Sequence, residues 1–434
     1  MIKADRNDRH ERSDPVIHTP TCPDYLRPLL SLFSSRGEHA YPVGGCVRDT
    51  LMGIPPHDWD VAVTTPPHDT MAICHAAGYR TIPTGLKHGT VTVILPHSGI
   101  PSDREGTYEL IECTTCRTEG GYTDGRHPDA VAFTGRIRDD LSRRDFTVNA
   151  MAFTEEGGAL SVLDLFGGRE DLASGIIRAV GDPDTRFTED ALRLLRAVRF
   201  AVKLGFEIEE GTRAAMVRQA AGLARISRER VSEELQKILC SPQPERGVQL
   251  LTDLGLMPYV LPRGISSFGA GRLSDLPASF APRMACLMWG RGADAIEENL
   301  AGLKLSNATR KEITTLAHSI CTPLRLTPRK AREWRHMLGE AAVPALTVRL
   351  AQTEDAGDRA EAEAFLALVK ASVAAGEPVR ISDLAVSGHD LIALGFLPGR
   401  LLQDILCDLL EVVWDDPQKN TRDALIKEAL LRKD

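Results

Sequence analysis

The sequence predicts an α+β head followed by an all-helical neck, body and tail. A change of texture along the chain carries that reading. Up to about residue 156, short apolar runs rich in β-branched residues alternate with Gly/Pro turns, as in Asp60 to Val63, Gly89 to Leu95 and Tyr108 to Thr114. Such runs read as strands, with helices near the start and around Thr70 to Ala77. From about residue 187 the apolar spacing becomes three and four, and Leu, Ala, Arg and Glu take over. The segments 188–204, 209–222 and 227–240 then read as amphipathic helices.

The elements divide the 434 residues in order. Residues 1–22 are polar, charged and without an apolar core segment, so they read as a disordered extension rather than a secretion signal. The head is expected over 23–156 and the neck over 157–240. A helical body follows over 241–320, broken by the Pro/Gly/Ser-rich stretch Leu261 to Ser274. A helical tail runs over 321–434, with breaks at Pro323 to Pro328, Gly376 to Pro378 and Pro398-Gly399. No internal repeat or low-complexity segment is evident.

Composition narrows the function classes. Hydrophobic residues make up 43% and charged residues 26%, ordinary for a globular chain. No apolar run reaches the roughly 18–20 residues of a membrane span. A net charge of −8 argues against a protein that coats nucleic acid, while leaving room for a local basic groove. Nine scattered cysteines suit free thiols in a reducing cytoplasm. Cys113 and Cys116 form a CxxC that lacks a second ligand pair, so both read as ordinary buried cysteines.

The densest chemistry lies in Tyr41-Pro42-Val43-Gly44-Gly45-Cys46-Val47-Arg48-Asp49 and His57-Asp58-Trp59-Asp60-Val61. A glycine pair after a short strand lets the backbone approach a ligand closely. Arg48 falls one turn into the helix that would follow, within reach of a phosphate. Asp58 and Asp60, two apart on an extended segment, present carboxylates to one face. Such a pair repels unless cations sit between, and Mg²⁺ is the natural occupant.

Further on stands Asp140-Leu141-Ser142-Arg143-Arg144-Asp145-Phe146-Thr147-Val148-Asn149. Arg144 suits bidentate binding of a triphosphate, or a salt bridge to Asp139 or Asp140. Asp145 and Asn149, four apart, would brace the turn. Next comes Asp182 to Asp190, where Thr188 reads as the cap of a helix continuing through Arg193, Arg196 and Arg199. Asp190 and Arg193 are spaced for an i, i+3 pair. Arg196 and Arg199 continue the row, which on its own is also the pattern of a solvated basic stripe beside a Leu192/Leu195/Val198 core face.

Gly-Gly-x-Val-Arg-Asp followed by Asp-x-Asp, with the later motifs in the same order, resembles the class II CCA-adding enzymes and bacterial poly(A) polymerases. These belong to the polymerase-β-like nucleotidyltransferase superfamily. The resemblance is dense over 41–240 and thinner beyond, where Leu303 to Asn307 and Ser387 to Pro398 look like body and tail segments. It implies a polymerase-β-like sheet in the head. It also implies addition of C, C and A to the 3′ end of tRNA from CTP and ATP, with two Mg²⁺ ions.

By the same resemblance Asp58 and Asp60 are the catalytic metal ligands. Gly45, Arg48 and Arg144 bind the nucleotide, joined by Arg196 and Arg199. Asp190 and Arg193 read the base edge: C and A each offer an exocyclic amine to Asp190 and a ring nitrogen to Arg193. Glu112 is a candidate third carboxylate. Tyr122, Asp124, Gly125, Arg126, His127 and Pro128 look like the family's flexible loop. Ser227 looks like an N-cap in a neck motif where Glu229 and Glu233 brace helices.

RNA contact is expected on Arg225, Arg228 and Arg230 of the neck, or on Arg325, Arg329, Lys330, Arg332 and Arg335 with Trp334. A basic cluster of this kind is equally an ordinary solvated surface. His389-Asp390 invites a metal-phosphohydrolase reading, which fails for want of further spaced ligands. The alternatives within the enzyme class are an A-adding enzyme, a CC-adding enzyme and a poly(A) polymerase. Outside it stand an RNA-binding regulatory protein on the same scaffold and a small-molecule nucleotidyltransferase. The expected partners are tRNA lacking part or all of its CCA, CTP and ATP, with no membrane and no protein partner.

Overall fold

The computed structural model describes residues 17–97, 107–120, 130–156, 159–266, 272–319 and 323–432. The segment carrying Tyr122, Asp124, Gly125, Arg126, His127 and Pro128 lies outside the described residues, as do residues 1–16. Residues 17–22, expected to be disordered, are placed: the His18 N–H donates to the Leu51 carbonyl at 2.9 Å. The His18 ring fills the space that a Cβ on Gly53 would occupy, 2.5 Å from Nε2.

The chain forms two compact units, Met1–Ile238 with Leu250–Val260, and Leu239–Gln249 with Leu261–Asp434. The first contains a five-stranded sheet built from β1 (Ala40–Pro42), β2 (Asp60–Val63), β3 (Arg80–Gly85), β4 (Thr90–Pro96) and β5 (Tyr108–Thr115). Its order is β1-β2-β5-β4-β3, with β2 and β5 parallel and the other pairs antiparallel. The alternation of β5 explains its place. Ile111, Cys113 and Thr115 are buried, while Leu110 and Glu112 face outward. Burial pushes the Cys113 thiol well above its usual range, as befits an inert core cysteine. The Cys116 thiol is buried too and pushed up to about 12.

Helices α1 (Arg27–Ser34), α2 (Gly45–Leu51) and α3 (Pro67–Ala76) complete the first part of the head. The pair β6 (Arg117–Gly120) and β7 (Ala130–Phe133) follows, then α4 (Ile137–Ser142) and the antiparallel pair β8 (Met151–Glu156) and β9 (Ala159–Asp164). After α5 (Gly168–Ser174) the short parallel pair β10 (Ile176–Ile177) and β11 (Glu207–Ile208) ties the neck together.

The neck helices differ from the expected boundaries. The expected helix over 188–204 is two helices, α6 (Pro183–Glu189) and α7 (Leu192–Leu204). Thr188 is not a cap. Asp182 is, accepting the Thr185 N–H at 2.8 Å ahead of Pro183. Proline at the first helical position with aspartate before it was the stronger start signal. Asp190 is extended, with φ −142° and ψ 101°, and breaks the run. Beyond lie α8 (Glu210–Gln219), a 3₁₀ turn over Ala220–Arg225, and α9 (Arg228–Leu239) directly after Ser227.

The second unit is helical. Arg400–Asp415 and Arg422–Leu430 bury Leu409, Val413, Leu425 and Ala429 against Leu391. No described helix is long and apolar enough to cross a membrane.

Candidate active site

Two glycines open the site. Gly44 ends the β1 turn with φ 79° and ψ −125°, a conformation that side chains avoid. A Cβ there would stand 2.6 Å from Arg144 Nη1. Gly44 therefore meets both a backbone demand and a packing demand. Gly45 begins α2, and both glycines line a cavity of about 570 Å³.

Asp58 and Asp60 line the same cavity. Asp60 opens β2 directly opposite Glu112 on β5. Its carboxyl is pushed up to about 6, by burial first and then by Asp58 and Glu112, with Arg144 opposing. The three carboxylates thus feel one another as a concentration of negative charge. Among the described residues, no three His, Cys, Asp or Glu side chains form a ready-made metal cage. An all-oxygen, electrostatically strained carboxylate pair fits Mg²⁺, which is bound through one or two carboxylates, waters and substrate phosphates.

The turn after α4 supplies the opposite charge. Asp140, almost fully buried, accepts from Arg143 at 2.5 Å and from Arg144 at 3.0 Å. Burial raises its pKa, but the two arginines outweigh that and hold it below the usual range. The salt-bridge alternative for Arg144 is thus realised, and Arg144 still lines the cavity. Arg48 is buried rather than free: Nη1 donates to Asn149 Oδ1 at 2.5 Å, and Nε to Asp49 at 2.8 Å. Asn149 in turn donates to Asp145 at 3.2 Å. Asp145 and Asn149 brace the turn and also line the cavity.

The expected Asp190–Arg193 pair does not form. The Arg193 N–H donates to the Asp190 carbonyl at 3.0 Å, but each side chain finds another partner. Arg193 donates to Glu189 at 2.8 Å and to the Arg143 carbonyl at 2.9 Å. Asp190 accepts the Leu192 N–H at 3.0 Å and pairs with Arg230 at 2.7 Å. Both still line the cavity. Arg196 pairs with Asp145 at 2.5 Å, and Arg199 with Glu234 at 2.6 Å. Burial raises the Asp145 pKa, yet Arg196 and the hydrogen bond from Asn149 hold it at about 2. The guanidiniums of Arg48, Arg196 and Arg199 all lie against the Phe200 ring, at 5.3, 5.5 and 4.1 Å from its centroid.

The basic residues expected to meet RNA divide. Arg225 is exposed. Arg228 donates to the Tyr259 and Val260 carbonyls at 2.5 and 2.8 Å, capping the end of the short helix Met257–Val260. In the second unit Arg332 is buried and holds Glu377 through two 2.8 Å bonds and the Trp414 carbonyl at 2.6 Å. Arg329 is paired with Glu333, Glu411 and Asp415, and Lys330 with Glu333. Arg335 donates to Ser372, and Trp334 is buried. Arg332 is thus buried, whereas Arg329 and Lys330 stay partly exposed with carboxylates beside them. Asp390 closes a capping box with Ser387 and pairs with Arg422, so His389-Asp390 is a helix start.

The cavity also holds Phe200, Lys203 and Arg143, which the sequence reading did not single out. Phe200 and Lys203 extend the Arg196 face of α7 by one and two turns, which the helical spacing could have signalled.

Known proteins resemble the chain along most of its length. Residues 40–178 match the poly A polymerase head domain, and residues 205–266 a probable RNA and SrmB-binding site of polymerase A. Residues 284–429 match tRNA nucleotidyltransferase domain 2. A CCA-adding enzyme of Limosilactobacillus fermentum is 36% identical over 413 residues, covering 93% of this chain and 95% of the relative. The Bacillus stearothermophilus CCA-adding enzyme, solved in complex with CTP, superposes with a TM-score of 0.74 at 30% identity, covering 95% of this chain and 99% of that one. The Thermotoga maritima CCA-adding enzyme complexed with tRNA shares the fold, with a TM-score of 0.70 at 21% identity over 95% of this chain and 97% of that one. With a carboxylate pair, a glycine turn and a row of arginines around one cavity, and this likeness along nearly its whole length, the chain belongs to the CCA-adding enzymes, a family of tRNA nucleotidyltransferases.

Proposed function

We propose that the protein adds C, C and A to the 3′ end of tRNA, using CTP and ATP and releasing pyrophosphate. The observation that carries this reading is the single cavity lined at once by Asp58 and Asp60, by Arg48 and Arg144, and by Asp190 and Arg193. A metal pair, a triphosphate and a base edge are the three things a template-independent polymerase must hold together.

Asp58 and Asp60 would hold Mg²⁺, two ions in the active complex, with Glu112 at the edge of the same charge cluster. Bound there, Mg²⁺ would favour ionisation of the attacking hydroxyl and neutralise triphosphate charge. The tRNA 3′-oxygen attacks the α-phosphorus, its proton passes to solvent, and the bond to the β-phosphate oxygen breaks. Gly45 lets the backbone approach the nucleotide, while Arg48, Arg144, Arg196 and Arg199 offset the charge of the triphosphate. Asp190 accepts the exocyclic amine of C or A, and Arg193 donates to the ring nitrogen. The Glu189 contact holds the Arg193 fork in plane, and Arg230 holds the Asp190 carboxylate. G and U present the reverse pattern and are rejected.

The division of labour we infer is chemistry in the head over 23–156, base choice in the neck over 157–240, a body over 241–320, and tRNA holding in the tail over 321–434. The work is cytoplasmic, where tRNA is matured.

The test offers tRNA transcripts ending before CCA, after C and after CC, with labelled CTP or ATP and Mg²⁺. Ordered addition of C, C and A followed by arrest is expected. Addition of A only, of C only, or of long A tracts would replace the reading with an A-adding enzyme, a CC-adding enzyme or a poly(A) polymerase. No incorporation would favour an RNA-binding protein. Asp58→Ala should abolish transfer with an unchanged circular dichroism spectrum, and an active variant would refute the metal assignment.

A further inference from the structure

The cavity is lined by eight cationic side chains, seven arginines and Lys203. Every one of the arginines is already committed. Arg48 is bonded to Asp49 and Asn149, and Arg143 and Arg144 share Asp140. Arg193 pairs with Glu189, Arg196 with Asp145, Arg199 with Glu234 and Arg230 with Asp190. Lys203 stands apart: it is exposed, and its ammonium makes no hydrogen bond or ion pair among the described residues.

A phosphate arriving at an arginine must share it with the carboxylate already there, whereas Lys203 has nothing to give up. Its place on α7 indicates which phosphate it meets. Lys203 lies seven residues beyond Arg196 and on the same helix face. It is ten residues from Arg193, about 15 Å along the axis. Arg48 and Arg196, assigned above to the triphosphate, lie 5.3 and 5.5 Å from the centroid of the Phe200 ring, and Phe200 stands one turn before Lys203 in the same cavity.

We propose that Lys203 is a binding residue for the terminal phosphates of the incoming nucleotide, and so for the pyrophosphate that leaves. The assignment rests on the base-reading role of Asp190 and Arg193 given above. It adds one cation without a carboxylate partner to the paired arginines that offset the charge of the triphosphate. The competing account is that Lys203 only complements the dipole at the C-terminal turn of α7.

The test measures binding of CTP, inorganic tripolyphosphate and tRNA by calorimetry to the full chain and its Lys203→Ala and Lys203→Arg variants, with steady-state kinetics alongside. Lys203→Ala is expected to weaken CTP and tripolyphosphate by about fivefold, the scale of one partly exposed ion contact. KM for CTP should rise in parallel while kcat and tRNA affinity stay constant, and Lys203→Arg should restore most of the loss. Weakened tRNA binding with unchanged CTP binding would overturn the assignment. So would a lowered melting temperature with all affinities unchanged, which is the dipole account. If the wild-type chain binds CTP but transfers nothing, the affinities still decide the role of Lys203, and only the transfer reading falls.

Discussion

Replacing Gly44 by alanine should disturb the site through two separable effects. The first is backbone strain. At φ 79° and ψ −125° a residue with a Cβ is held outside its allowed regions, which costs about 1–3 kcal/mol. The second is the 2.6 Å approach to Arg144 Nη1. That guanidinium is not a loose chain end: Nη2 and Nε are tied to Asp140 at 3.0 and 3.3 Å. Moving it aside stretches charge-assisted bonds worth about 1.5–3 kcal/mol together with the desolvated carboxylate they serve. A double-mutant cycle separates the two. Urea unfolding of the wild type, Gly44→Ala, Arg144→Ala and the double variant should show Gly44→Ala less costly by at least about 1 kcal/mol when Arg144 is absent. In parallel, Gly44→Ala should raise KM for CTP, because Arg144 no longer stands where the triphosphate meets it. A strictly additive cycle would refute the claim that Gly44 makes room for Arg144, leaving only the backbone account.

Three further outcomes follow from the same contacts. Asp145 has its folded pKa lowered to about 2 from an ordinary 3.8, so its contribution is complete above pH 4 and is lost as pH falls toward 2. That amounts to about 2 kcal/mol, and Asp145→Asn should flatten this part of the stability-versus-pH curve; an unchanged acid limb would contradict the pairing with Arg196. Phe200→Leu keeps an apolar side chain but removes the ring face shared by three guanidiniums, which should raise KM for CTP several-fold, with Phe200→Tyr retaining near-normal values; equal behaviour of Leu and Tyr would discount the ring. Arg332→Ala should destabilise the helical second unit by about 3 kcal/mol without changing KM for tRNA in the folded protein, and a raised KM for tRNA at unchanged stability would return Arg332 to the RNA surface.

Much of the molecule is written in local pattern. The period-two run of β5, the glycine pair before α2, and the carboxylates at 58 and 60 are properties of a few adjacent residues, so a reading along the chain finds them. The row Arg193, Arg196 and Arg199 is visible for the same reason. Helix ends were less legible: Asp182-Pro183 and Thr188 both resemble starts, and only the extended backbone of Asp190 separates α6 from α7.

Tertiary structure decided which charges meet. Sequence spacing suggested Asp190 with Arg193, yet Asp190 takes Arg230, forty residues on, and Arg193 takes Glu189. It suggested an RNA surface at Arg329 to Arg335, and the fold brings Glu377, Glu411 and Asp415 from far along the chain to pair with Arg332 and Arg329. It placed Lys203 on the Arg196 face of α7, but not which of the cations there would be left without a carboxylate partner. A charge in a sequence carries its sign and its local spacing. Its partner is chosen by the fold, since burying an arginine requires an acceptor wherever packing brings one within about 3 Å.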